Sequence, residues 1–81
     1  MASRKKLIER LKGAPKDFQW QEMSRLLAQL GYTEREGDGS RVKFRRAGFP
    51  KINLHKPHPG NIMKEYAVKQ VRDILEEAGL I

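Results

Sequence analysis

The stretch Ser40-Arg41-Val42-Lys43-Phe44-Arg45, followed after Ala47-Gly48-Phe49-Pro50 by Lys51-Ile52-Asn53-Leu54-His55, decides the fold. Apolar and polar residues alternate in both segments with the two-residue period of a half-buried strand, and the Gly- and Pro-containing connection between them reads as a turn. Successive side chains of a strand point to opposite faces, so Val42, Phe44, Ile52 and Leu54 share a buried face, and Arg41, Lys43, Arg45, Lys51, Asn53 and His55 share the other. Register follows from the same alternation. Setting Phe44 across from Ile52 and Val42 from Leu54 places Arg41 opposite His55, Lys43 opposite Asn53 and Arg45 opposite Lys51. Upstream, Tyr32-Thr33-Glu34-Arg35-Glu36 reads as another strand, divided from the next by Gly37-Asp38-Gly39. The sheet is therefore expected to be a three-stranded antiparallel meander.

Working outward, Ser3 can cap a helix over residues 4–12 with Leu7, Ile8 and Leu11 on one face, ended by Gly13 and Pro15. Trp20, Met23, Leu26, Leu27 and Leu30 recur at helical spacing up to Gly31, with Gln19 as the cap, Glu22 reaching back to it and Phe18 stapled onto Met23. Trp20 is read as core. After the connector Lys56-Pro57-His58-Pro59-Gly60, which its prolines hold extended, Asn61 is expected to begin a last helix. Its buried stripe is Ala67, Val71, Ile74, Leu75 and Ala78, and Gly79 stops it. The pairs Glu65 with Lys69 and Arg72 with Glu76 support its exposed side. The fold class is α+β, in the order α-α-β-β-β-α, with the helices on one face of the sheet.

The chain has 81 residues, and a second core would leave each half too small to stabilise itself, so residues 1–81 are read as a single domain. With 38% hydrophobic residues it is apolar enough to fold. The complete lack of cysteine excludes disulfide scaffolds, thiolate metal sites and thiol nucleophiles. No apolar run approaches the ~20 residues of a membrane span. The start Ser3-Arg4-Lys5-Lys6 leads into Leu7-Ile8-Glu9, with a charge where a signal peptide needs an apolar stretch, so a cytoplasmic location is expected. Seventeen Lys and Arg against ten Asp and Glu give a net charge of +7, which points to a polyanionic partner.

The distribution of that charge carries more than its sum. Like charges directly across strands are mildly destabilising, so a sheet face this rich in Arg and Lys suggests an anionic ligand. The alternative is a solvated face whose cations block edge aggregation. The Gly37-Asp38-Gly39-Ser40 run lacks the Gly-Lys-Ser/Thr end of a phosphate loop, and Ser40 is a turn residue rather than a nucleophile, because no acid–base pair is arranged to activate it. His55 and His58 lack carboxylate company, which argues against a metal site; no cofactor is expected either. Histidine does exchange protons near neutral pH. Cleaving RNA without metal needs a base for the 2′-hydroxyl proton and cations for the charge that builds on phosphate, which His55 facing Arg41 and Lys43 would supply; the alternative is a structural or simply exposed histidine at a strand end.

Five segments in order resemble the HicA family of bacterial toxins: Pro15-Lys16-Asp17-Phe18-Gln19-Trp20-Gln21-Glu22-Met23; Leu26-Leu27 with Leu30-Gly31-Tyr32; Gly39-Ser40-Arg41-Val42-Lys43-Phe44; Leu54-His55-Lys56-Pro57-His58-Pro59; and the close from Val71 to Ile81. The resemblance runs from about Leu7. It implies a fold like a double-stranded-RNA-binding domain, a ribosome-independent mRNA endonuclease activity, and neutralisation by a HicB antitoxin. In many HicA toxins a histidine regarded as catalytic directly follows the Gly-Ser turn; here that position is Arg41, which cannot serve as a normal general base. The chain resembles the subgroup with Gly-Ser-Arg-Val and Leu-His-x-Pro-His-Pro, whose histidines belong to the later motif. The candidate catalytic residues are then His55, Arg41 and His58. His58 either donates a proton to the leaving oxygen or merely stiffens the connector. RNA is expected on Ser40, Arg41, Lys43, Arg45, Lys51, Asn53 and Lys56, a set with little aromatic surface for stacking bases, and hence limited sequence preference. The expected partners are mRNA and a HicB-like antitoxin, with no membrane; the protein is expected to be a monomer when free and a hetero-oligomer with its antitoxin. Alternatives are a non-catalytic RNA-binding module of the same fold, and an antitoxin-binding relic.

Overall fold

The computed structural model describes residues 3–57 and 60–81, so His58 lies outside the described residues. Six elements follow one another: α1 (Arg4–Gly13), α2 (Trp20–Gln29), β1 (Thr33–Glu36), β2 (Arg41–Arg45), β3 (Ile52–His55) and α3 (Glu65–Glu77). This is the expected α+β order. The strands form one antiparallel sheet in the order β1-β2-β3. In β2 and β3 the apolar residues are buried and the intervening ones exposed, as a sheet with one face on the core requires. Trp20 packs there too, its ring 5.9 Å from that of Phe44. Among the described residues no helix is long and apolar enough to cross a membrane.

The two N-terminal helices are tied together through Glu22. Ser3 Oγ accepts the Lys6 N–H at 3.3 Å and so caps α1. Gly13 is the last helical residue, and it is Ala14, not Gly13, that takes the left-handed conformation, at φ 45°; Pro15 disfavours continued right-handed helix at the residue before it. At the start of α2, Glu22 Oε1 accepts the Gln19 N–H at 3.1 Å. The same carboxylate receives Arg10 of α1 in bidentate fashion, Nε to Oε2 at 2.7 Å and Nη2 to Oε1 at 3.0 Å. One acid thus satisfies an unpaired helix-end donor and joins two helices.

The last helix differs from its sequence reading at both its start and its stripe. Asn61, Ile62 and Met63 are not helical. Trp20 N–H donates to the Asn61 carbonyl at 2.7 Å, and Met63 N–H donates to the Phe18 carbonyl at 2.8 Å, so this segment lies antiparallel to the chain entering α2. An α2 N–H that has no partner within its own helix finds one in Asn61, which delays α3 to Glu65. The fully buried stripe is Val68, Val71 and Leu75, whereas Ala67, Ile74 and Ala78 are only half-buried. Both expected ion pairs form, Lys69 with Glu65 at 3.1 Å and Arg72 with Glu76 at 3.7 Å.

Arg46 and Tyr32 fix the turn that joins β2 to β3. Arg46 Nη1 donates to the Leu30 carbonyl at 2.6 Å, and its guanidinium stacks 4.2 Å from the Phe49 ring centroid. Gly31, at φ +91°, lies under that guanidinium, where a Cβ would stand 3.1 Å from Nε. Tyr32 is buried and its hydroxyl donates to the Pro50 carbonyl at 3.0 Å. Burial pushes the Tyr32 phenol above its ordinary value, opposed by the charge of Arg46. The unfolded chain therefore releases this proton first as pH rises, and the stability Tyr32 contributes is lost above pH of about 10. Tyr32→Phe is expected to cost about 1 kcal/mol at neutral pH and to flatten the alkaline decline; thermal unfolding across neutral and alkaline pH checks both. An unchanged midpoint and an unchanged alkaline slope would contradict this account.

Candidate functional site

The register of β2 against β3 is Arg41 with His55, Val42 with Leu54, Lys43 with Asn53 and Phe44 with Ile52, as the alternation predicts. The ladder ends there, and Lys51 lies just before β3. The expected pairing of Arg45 with Lys51 is therefore not part of the ladder, although both line one depression with Lys43 and Asn53. On the other edge of β2, Arg35 stands opposite Lys43 and Thr33 opposite Arg45. Directly opposed residues share a face, so Arg35 joins the cationic side. Glu34 and Glu36 stand opposite Phe44 and Val42 and belong to the helix side, where Glu34 accepts a hydrogen bond from Ser24 of α2. The strands thus place their acids on one face and Arg35, Arg41, Lys43 and Arg45 on the other. Arg35 was missed from the sequence although the same parity rule, run back from buried Tyr32, would have found it.

His55 sits where two hollows meet. It lines one of about 300 Å³ with Arg41, Lys43 and Asn53. It also lines a cleft of about 410 Å³ with Ser40, Lys56 and Pro57 on the β3 side and Ile62, Met63, Lys64, Tyr66 and Ala67 around the start of α3. His55 Nδ1 is 3.4 Å from Ser40 Oγ. The Ser40 backbone is itself held, because Lys56 N–H donates to its carbonyl at 2.7 Å and carries the β2–β3 pairing one step beyond the strands. The Ser40 hydroxyl is thus within reach of the imidazole, and which of the two donates depends on the tautomer.

The sequence-predicted residues therefore fall into two connected groups. Ser40, His55 and Lys56 gather at the cleft, and Lys43, Arg45, Lys51 and Asn53 on the open sheet face, with Arg41 beside His55 between them. His58 follows Pro57 but is outside the described residues. Three cleft residues were not legible as site residues: Ile62, Lys64 and Tyr66. The sequence reading put all three inside a helix, whereas Ile62 and Lys64 precede α3 and Tyr66 stands in its first turn beside the end of β3. Tyr66 is 65% exposed and supplies the aromatic surface that the strand face lacks. Among the described residues, no group of three or more His, Cys, Asp or Glu side chains is placed to hold a metal ion.

Comparison with known proteins bears on what this arrangement serves. The model of the HicA toxin of bacterial toxin–antitoxin systems matches residues 20–80, from the first residue of α2 onward, which leaves α1 outside the match. Searches of curated proteins and of solved structures found no match.

The opposition of Arg35 and Lys43 gives a test of what the cationic face is for. Lys43→Glu converts a like-charge cross-strand pair into an attractive one, expected to stabilise the fold by about 0.2–1 kcal/mol. The same change is expected to weaken retention on a polyanion such as heparin. Chemical denaturation and a salt-eluted heparin column read the two effects separately; unchanged retention would show that the face is only a solvated surface.

Proposed function

The chain belongs to the HicA toxin family of bacterial toxin–antitoxin systems, and from that premise we propose that it is a metal-independent mRNA endonuclease whose basic sheet face holds RNA and whose base is His55. One observation carries this reading: Arg41 lies directly across from His55, with Ser40 Oγ at 3.4 Å from the imidazole Nδ1. An Nδ1–H donated to Ser40 leaves the Nε2 lone pair free to accept a proton. In the proposed step Nε2 takes the proton of the RNA 2′-hydroxyl, the 2′-oxygen bonds to the adjacent phosphorus, and the bond from phosphorus to the 5′-oxygen breaks. His58 gives the leaving 5′-oxygen its proton, and a 2′,3′-cyclic phosphate remains. Arg41 and Lys43 stabilise the charge that builds on the phosphate, the role a metal plays in other nucleases. Arg45, Lys51, Asn53 and Lys56 hold the flanking backbone, and Ser40 orients the base.

A second reading, a non-catalytic RNA-binding module, is favoured by one feature, the arginine that follows the Gly-Ser turn. Cleavage separates the two. The His55→Ala variant is expected to lose ~10²–10⁴ in cleavage rate while keeping its fold and RNA affinity, and Arg41→His is expected to retain activity. A wild-type protein that binds RNA without cutting it establishes the second reading; full activity of His55→Ala removes His55 from the mechanism.

The antitoxin that this family membership implies is proposed to be HicB-like and to neutralise the toxin by covering the cationic face, in a hetero-oligomer formed from a free monomer. Cations without acids on one face favour fast, steered association with an acidic surface. In the complex the amides of Arg41 and His55 are expected to be protected from hydrogen exchange and RNA to be excluded. Protection confined to α1, with RNA still bound, would contradict a site-covering antitoxin.

A further inference from the structure

The cleft beside His55 holds a feature that phosphate binding does not use. Ile62 and Tyr66 are the exposed large hydrophobic side chains of the described residues, 48% and 65% exposed, and both line this one cleft. The cleft also presents Lys56 and Lys64, and among the described residues no acidic side chain lines it. A cationic hollow with one free aromatic ring matches the two halves of a nucleotide, a charged phosphate and a flat apolar base. The position is set by backbone pairing rather than by chance exposure. Met63 is buried and bonded to Phe18, and α3 begins at Glu65, so Tyr66 stands in the first turn of a fixed helix.

We propose that Tyr66 is the stacking platform for an unpaired nucleobase adjoining the phosphate held at His55, with Ile62 completing the apolar seat. This deepens the RNA-cleaving reading and rests on it. An aromatic ring can stack a base only when that base is free of a duplex, so the platform makes the protein selective for single-stranded RNA, in addition to the sequence-independent attraction of the sheet face. Lys56 and Lys64 lie in the same cleft to meet the phosphates on either side of that base.

The test uses a short single-stranded RNA with 2′-O-methyl groups, which binds but lacks the nucleophile for cleavage, and a duplex of the same sequence. Tyr66→Ala is expected to weaken binding of the single strand roughly 5- to 150-fold, whereas Tyr66→Phe stays near wild type. Duplex affinity and the salt dependence of binding are expected to be unchanged, since no cation is removed. Wild-type affinity of Tyr66→Ala for the single strand overturns the platform. Equal loss on the duplex also overturns it, since the ring would then be acting through something other than an unpaired base. Intact RNA binding with a weakened antitoxin complex overturns it in favour of a protein interface. Failure of the wild-type protein to bind any RNA overturns the underlying RNA-cleaving reading, and is seen before a variant is made.

Discussion

Everything in this molecule depends on the pairing of β2 with β3 in one register. Val42, Phe44, Ile52 and Leu54 have to face the helices, and a shift of one residue would bury Arg41, Lys43, Asn53 and His55 in their place. The cost of burying unpaired charges excludes that alternative. A core constraint therefore places four side chains of the opposite face with no contribution from their own contacts. Arg41 meets His55, and Lys43 sits between Arg35 and Asn53, because Phe44 and Leu54 leave no other choice. The price is repulsion among the exposed cations, since Glu34 and Glu36 lie on the other face.

A second constraint turns this flat surface into a site with depth. Beyond His55 the Lys56 amide remains bound to Ser40, and residues 61–63 are captured by the chain that enters α2. The last helix consequently starts late, beside the end of β3, so Lys64 and Tyr66 face His55 across a cleft. The link between the entry to α2 and the start of α3 thus joins packing to chemistry. Trp20 and Phe18 fill the core with their side chains and, through their backbone groups, decide where Tyr66 stands.

How much of this could be read beforehand follows from the range of the forces involved. Alternation acts between neighbouring residues, so the meander, the Arg41–His55 pairing and the buried set of β2 and β3 were legible from about a dozen residues. The Glu22 cap and the i, i+4 pairs of α3 were legible for the same local reason. The start of α3 was not, since nothing between Asn61 and Lys64 disfavours a helix; a carbonyl at Asn61 is drawn off by an amide at Trp20, far away in sequence. With that start went the omission of Lys64 and Tyr66 from the site; the stripe was misread separately, because Ala67 and Val68 both fit helical spacing to Val71 and only packing makes Val68 the buried one. Arg46 shows the converse. It reads as one more cation of the basic region, yet it closes the end of α2 at Leu30 and stacks on Phe49.

In the proposed complex RNA lies on the outer face of β2 and β3 with a phosphate at His55. The most direct measurement is an NMR titration of isotope-labelled protein with a 2′-O-methyl single-stranded RNA, following the backbone amides and the His55 imidazole nitrogens. Shift changes are expected to concentrate on Arg41, Lys43, Asn53 and His55, with both imidazole nitrogens responding. Changes confined to α1 and α2, with the His55 ring unmoved at saturating RNA, would contradict that placement.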